Sequence, residues 1–235
     1  MPEAAWHNYY ALTFGLYNAL AECEYLKGQS EKSEELYEIL LANTKGGLDK
    51  AKLCAIRLVQ TIGIGLWHQS IEFGILGLEY LDIKVTSEPD KVKDLLQSQS
   101  NLFEKALIKT PLHQVIDLPE MTDAKLLVAS NIMPNLSTCG QILGAHDFQQ
   151  YCTLLGLNMT LSSGKSDLTP ILFACHANFL SKEGRLSEAY GIAQQAIKIS
   201  DLYPDCRELS NTYNMLAGLV IYLKSSYPDA IKLHQ

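Results

Sequence analysis

The stretch that decides the fold is Tyr25-Leu-Lys-Gly28-Gln-Ser-Glu-Lys-Ser33, which follows an apolar run and precedes EELYEILL. Glycine readily adopts the left-handed backbone conformation that ends a helix. A small residue five positions later lets a second helix approach the first closely. Leu36, Ile39 and Leu40 then recur at helical spacing, which predicts a buried stripe. The stretch is therefore typical of two helices joined by a tight turn.

Three further segments follow the same plan. They are Gly65-Leu-Trp-His-Gln-Ser70 before IEFGILGLEYL, Gly184-Arg-Leu-Ser-Glu-Ala189 before YGIAQQAIKI, and a weaker Ser225-Ser-Tyr-Pro-Asp-Ala230. The first two glycines are 37 residues apart, and the last two segments are 41 apart. Both spacings lie in the range of helical-pair repeats.

Aligned on the glycine, the pattern resembles the tetratricopeptide repeat. The first copy supplies an aromatic, a Leu and a small residue before the glycine, and a small residue and an aromatic after it: Tyr17, Leu20, Ala21, Gly28, Ser33 and Tyr37. The copy at Gly184 has Phe173, Ala177, Ala189 and Ala196. The second copy departs from the motif, with Cys54, Arg57 and Leu58 in its first helix.

The chain is predicted to be all-α. No segment alternates apolar and polar residues with period two, and no Asn-Gly or Asp-Gly hairpin signal occurs. We expect a right-handed α-solenoid of antiparallel helix pairs, with about ten or eleven helices in a single array over residues 1–235. The clear repeats span about 14–46, 51–83, 170–203 and 211–235, and residues 84–169 hold degenerate ones.

Helix signals persist in this degenerate region. One helix is predicted from Pro89 to Lys109, a second is capped by Thr122 or Asp123 and kinked or stopped by Pro134, and a third runs from about Asp147 to Leu161. Ser166 or Asp167 then begins the helix that contains Ile171–Leu180.

Composition narrows the range of functions. The net charge of −7 argues against a broad surface for nucleic acid or an anionic membrane. The six cysteines form no CxxC pair, no basic leader precedes an apolar stretch, and no apolar run approaches the ~18 residues of a membrane span. The sequence therefore predicts a cytoplasmic protein with reduced, mostly buried thiols.

No chemical motif in the sequence indicates catalysis, a metal or a cofactor. Ser163-Gly164-Lys165-Ser166 ends like a phosphate-binding loop, but Met159 stands where that motif needs its first glycine. Cys175 and His176 are adjacent, so on a helix they point about 100° apart and do not share one ion easily. Kinase signatures such as HRD and DFG are absent.

A partner-binding surface is the remaining candidate site. In stacked helix pairs the first helices line a concave face that can hold a peptide or a helix. The positions expected to face it are Asn18, Glu22, Lys52, Asn178 and Lys182. Some tetratricopeptide proteins grip a C-terminal carboxylate with Lys and Asn side chains, and here only Asn178 and Lys182 suggest such a clamp.

Several phrases resemble one particular family, the helical-repeat region of very large bacterial signalling proteins. They are AWHNYYALTFGLYNALAECEYLKGQSEKSEELYEILL from Ala5, LDKAKLCAIRLVQ from Leu48, IEFGILGLEYLDI from Ile71 and VIDLPEMTDAKLLVASNIM from Val115. In that family a Ser/Thr-kinase-like domain and an AAA-type ATPase domain precede the repeats, and GAF and histidine-kinase domains often follow. The resemblance implies a non-catalytic segment of a multidomain sensor kinase.

Three functional hypotheses remain open from the sequence. The first is a scaffold or signal-relay segment whose partners are neighbouring domains of the same polypeptide. The second is a free-standing adaptor that binds a peptide or partner helix in its groove. The third is a regulator that responds to a small molecule, which requires a deep apolar pocket. The oligomeric state is not predicted.

Overall fold

The computed structural model describes residues 3–218 and confirms that this part of the chain is all-α. Its eleven α-helices and one 3-10 helix are α1 (Glu3–Asn8), α2 (Tyr10–Leu26), α3 (Ser30–Asn43), α4 (Gly47–Gly63), α5 (Trp67–Glu79), α6 (Pro89–Lys109), the 3-10 helix Leu112–Asp117, α7 (Ala124–Ile142), α8 (His146–Ser163), α9 (Thr169–Lys182), α10 (Leu186–Ser200) and α11 (Leu209–Leu216). The weak repeat predicted around Ser225 lies outside the described residues.

Consecutive helices pack in pairs, α2 with α3, α4 with α5, α7 with α8, and α9 with α10. The turn of each pair holds a glycine in the left-handed region, with φ between 71° and 79°: Gly28, Gly65, Gly144 and Gly184. Each glycine N–H donates to the carbonyl three residues back, and the next N–H donates to the carbonyl four residues before the glycine. These two bonds satisfy carbonyls that the helix end leaves free.

The turn at Gly144 was not predicted from the sequence. Its fifth following residue is Gln149, whereas the other copies have Ser33, Ser70 or Ala189 there. The close approach is instead provided by Gly140 on the first helix, because a Cβ at that position would lie 2.9 Å from the nitrogen of Gln149. In this pair the small residue that permits close packing therefore lies on the first helix, whereas in the other pairs it lies on the second.

Helix α6 begins at Pro89 and ends at Lys109, as predicted. It packs on α8, whereas α5 packs directly on α7. Helix α6 therefore does not belong to the succession of helix pairs. The region predicted to hold degenerate repeats contains this helix, the 3-10 helix and one glycine-turn pair.

Of three local predictions, one is confirmed, one loses one of its two alternatives and one is corrected. Asp123 caps α7, accepting hydrogen bonds from the N–H groups of Lys125 and Leu126. Helix α7 does not stop at Pro134 but continues to Ile142. In α3, Ile39 is 38% exposed, and Tyr37 takes the inner position beside Leu40.

The buried side chains form two clusters. A large one extends through α4 to α11. A small N-terminal cluster joins Trp6, Ala21, Tyr37, Leu40 and Leu53. None of the helices in the described range is both long and apolar enough to cross a membrane.

Arg57 of α4 connects the first two helix pairs. Its guanidinium lies 5.0 Å from the ring centre of Tyr37 on α3 and 4.3 Å from that of Phe73 on α5, and it forms an ion pair with Glu34 of α3. A planar cation stacks well on aromatic rings. Arg57, which departs from the repeat motif, therefore makes a specific contact between the first two helix pairs.

Candidate functional site

The first helices of the pairs line two adjoining clefts, which together we call the groove. The N-terminal cleft, with a volume of about 630 Å³, lies among α2, α4, α7 and the loop before α11. Its lining side chains are Glu22, Tyr25, Leu26, Lys52, Ala55, Ile56, Val59, Gln60, Leu127, Val128, Asn131 and Arg207. Sequence-distant helices converge on this one cleft.

The N-terminal cleft has an apolar floor and a charged rim. The floor includes side chains from two successive turns of α4, namely Ala55, Ile56 and Val59. At the rim Lys52 pairs with Asp49 at 3.3 Å, so part of its charge is neutralised. Arg207 is exposed and makes no ion pair with any other described residue. The cleft can therefore take an apolar side chain and offers Arg207 to a carboxylate.

The C-terminal cleft, about 500 Å³, is lined mainly by α7 and α11. Its polar side chains are amides with one carboxylate and one hydroxyl: Asn131, Asn135, Asn211, Asn214, Glu208 and Thr138. Amides both donate and accept hydrogen bonds, as peptide groups do. Asn131 lines both clefts, so the apolar cleft and the amide-rich cleft meet at that residue.

The structure brings some of the predicted partner-binding residues together and separates others. Glu22 and Lys52 line the N-terminal cleft. Asn18, one turn before Glu22, is half-buried, and its side-chain oxygen is buried without a hydrogen-bond partner among the described residues. Asn178 is 1% exposed and donates to Gln141 Oε1 at 3.1 Å. Lys182 is exposed at the end of α9 and lines neither cleft.

The adjacent pair Cys175-His176 lies in the packed interior. Burial lowers the pKa of His176 to about 4, because the charged form is poorly solvated there. Its Nδ1 is 2.7 Å from Gln150 Nε2, and its ring meets Phe103 of α6 edge to face. Burial also raises the pKa of Cys175 to about 11. A neutral imidazole and a protonated thiol act here as packing groups.

The segment Gly164-Lys165-Ser166 holds two loops together. Lys165 Nζ donates to the carbonyl of Leu118 and lies 3.1 Å from Glu120 Oε1, and its backbone pairs with the 119–121 segment. A Cβ on Gly164 would lie 2.5 Å from the carbonyl oxygen of Pro119. The lysine that resembles a phosphate ligand is thus already engaged by protein atoms.

Tyr203 extends this loop contact towards α10. Its hydroxyl donates to both carboxylate oxygens of Glu120, at 2.9 and 2.8 Å. Burial and the nearby carboxylate raise the pKa of Tyr203. Within the described range no three His, Cys, Asp or Glu side chains come together in a way that could hold a metal ion.

The groove residues that sequence reasoning missed are chiefly Leu127, Asn131 and Arg207. The signal that could have found the first two is Gly144, since recognising that turn marks α7 as the first helix of a pair. Arg207 lies in the loop between α10 and α11, where repeat spacing gives no guidance.

Comparison with known proteins gives no further identification: no family model, no curated protein and no solved structure matches this chain.

Proposed function

We propose that this chain is a non-catalytic protein-interaction segment that binds a stretch of a partner protein in the groove. The observation that carries the proposal is the convergence of α2, α4, α7 and α11 on adjoining clefts with one apolar floor and one amide-rich wall. Apolar floors anchor side chains of a bound segment, and amides match its peptide groups. The partner segment is expected to carry an apolar anchor next to an acidic residue that meets Arg207.

The same proposal includes the architecture, a right-handed solenoid of antiparallel helix pairs. Four identical glycine turns support it, because a tight turn between two helices that pack along each other favours opposite directions. Stacking of successive pairs, α4 and α5 on α7, supports a one-dimensional array. The groove would then be the concave face of that array.

The resemblance to the repeat region of bacterial signalling kinases suggests where such a segment works. We propose that it relays contacts between domains of a multidomain sensor kinase in the cytoplasm. The native reading frame on both sides of the coding segment tests this. Kinase-like or ATPase-like sequence upstream supports the proposal, and stop codons at both boundaries contradict it.

The groove itself is tested with a probe that needs no known partner. A random 12-residue peptide library displayed on phage is selected on the full chain, and the enriched peptides are measured by fluorescence anisotropy. We expect enrichment of sequences with an apolar residue beside Asp or Glu. Charge reversal by Arg207→Glu should weaken these peptides at least about tenfold, since a favourable charge pair becomes a repulsive one.

Lys182→Glu is the matched control. It changes charge by the same amount at an exposed position that lines neither cleft. Peptides that lose affinity with Lys182→Glu but not with Arg207→Glu would place binding near the end of α9, and the groove proposal would then fail. A library without enriched peptides would also count against it.

A further inference from the structure

One face of α2 carries an exposed apolar seam, whose last residue, Leu26, also borders the N-terminal cleft. Leu12, Leu16, Ala19, Cys23 and Leu26 are all exposed, and Leu12, Leu16 and Leu26 are 64%, 47% and 75% exposed. The opposite face of α2, with Thr13 and Ala21, is buried against the rest of the fold. Large apolar side chains on a single exposed helix face indicate a contact surface.

The spacing of this seam is that of a coiled coil. The five residues follow one another at intervals of four, three, four and three, which is the a/d pattern of a heptad repeat. The pattern covers two heptads, about 21 Å of helix at ~1.5 Å per residue. No charged residue occupies an a or d position. The face therefore fits another helix with the same repeat, running alongside α2.

Charges at the C-terminal edge of the seam select the partner and its direction. Glu22 precedes Cys23 and Lys27 follows Leu26, so they hold the g and e positions that flank the seam. In a parallel pair, the g residue of one helix lies beside the following e residue of the other. Two copies of this chain would therefore form two ion pairs, each between Glu22 of one copy and Lys27 of the other, and the two-fold axis relates these pairs.

We propose that the chain forms a parallel homodimer through α2, with Leu12, Leu16, Ala19, Cys23 and Leu26 as the seam. The two copies bury the same surface, as a two-fold interface requires. Within one copy Lys27 pairs with Glu24 at 3.1 Å on the exposed surface, a weak contact that it can exchange for Glu22 of the second copy. Two heptads make a short seam, so we expect a weak dimer that forms at high protein concentration. The seam shares only Leu26 with the N-terminal cleft, so the inference rests on the heptad spacing and not on peptide binding in the groove.

Sedimentation equilibrium of the full chain over a wide concentration range tests the dimer. Wild type should show a monomer–dimer equilibrium, and Leu16→Glu should weaken it at least about tenfold, because two carboxylates would face each other in the seam. Ile108→Glu is the control, since Ile108 on α6 is 81% exposed and remote from the seam. Circular dichroism checks that each variant keeps its helix content.

Charge exchange tests the direction of the helices. Glu22→Lys should weaken the dimer, and adding Lys27→Glu should restore it, because the pair is rebuilt with opposite polarity. A wild-type chain that stays monomeric at every concentration overturns the proposal, as does a dimer indifferent to Leu16→Glu. A double variant that fails to recover overturns the parallel arrangement. Glu22 also lines the N-terminal cleft, so its variants can affect peptide binding, whereas Leu16 does not line it. Peptide binding by Leu16→Glu therefore distinguishes failure of the dimer from failure of the groove.

Discussion

Gly140 of α7 lies so close to Gln149 of α8 that a Cβ on Gly140 would be 2.9 Å from the backbone nitrogen of Gln149. The contact is with backbone, which cannot rotate away. Gly140→Ala should therefore lower the free energy of unfolding by about 1–3 kcal/mol, the usual cost of overpacking. Chemical denaturation measures this change.

Gly191 provides the control for that substitution. It lies within α10, and no heavy atom would be within 4 Å of an added Cβ. Gly191→Ala should raise the free energy of unfolding by up to about 1 kcal/mol, because alanine restricts the unfolded chain and favours helix. Equal destabilisation by both substitutions would contradict the close contact at Gly140.

The buried His176 predicts a loss of stability in acid. Its pKa is lowered from 6.5 to about 4 in the folded state, chiefly by burial. Between these values the unfolded chain binds a proton that the folded protein does not, so stability falls as the pH falls from 6.5 towards 4. The full difference is about 3 kcal/mol.

Denaturation curves across this pH range measure the effect of His176. His176→Leu should lower stability near neutral pH, because Gln150 loses its partner, 2.7 Å from the ring nitrogen. The variant should nevertheless show a shallower decline between pH 6.5 and 4. An unchanged slope would assign the acid sensitivity to other groups, such as the nearby exposed Glu188.

Lys165 should contribute more to stability than an exposed lysine does. It is 9% exposed, and its ammonium donates to Leu118 and meets Glu120. Lys165→Met leaves the Leu118 carbonyl without this donor and should cost about 1–3 kcal/mol. Lys125→Met is the control, because its 2.9 Å pair with Asp82 is exposed and worth at most about 1 kcal/mol. Similar losses in the two variants would contradict a specific role for Lys165.

The parts of the fold that sequence could predict are those with local causes. Pro89 begins α6, and Gly28, Gly65 and Gly184 form the expected turns, because proline and glycine act through their own backbone. The turn at Gly144 escaped detection because the small residue lies on the other helix of the pair. Whether a small residue on one helix can replace a small residue on the other depends on how the two helices contact each other. The spacing of residues along one segment does not reveal that contact.

The groove depended on non-local packing and was only partly predictable. Glu22 and Lys52 lie on helices with one exposed face, so their outward direction follows from the pattern of their neighbours. Helix α9 is buried on nearly every side, and there the polarity of Asn178 gave no guide to its direction. Arg207 reaches the N-terminal cleft from a loop distant in sequence. Only the packing of the helices against one another brings that side chain to α2 and α4.

The reactivity of the six cysteines should divide into three classes. Burial raises the pKa of Cys54, Cys139 and Cys175 to about 11 and raises that of Cys152 well above its usual value, so these four thiols are both shielded and protonated near neutral pH. Cys206 is half-buried and donates to the carbonyl of Asp167 at 3.2 Å, which slows it. Cys23 is exposed.

Mass spectrometry after timed treatment with N-ethylmaleimide measures these classes. We expect Cys23 to react first, Cys206 more slowly, and the other four only after unfolding in guanidinium. Cys23→Ser should remove the fast phase and leave the rest unchanged. Early labelling of Cys54 or Cys152 would contradict the packing of α4 or α8. Because Cys23 also lies in the proposed dimer seam, its rate should fall as protein concentration rises, whereas the rate at Cys206 should not.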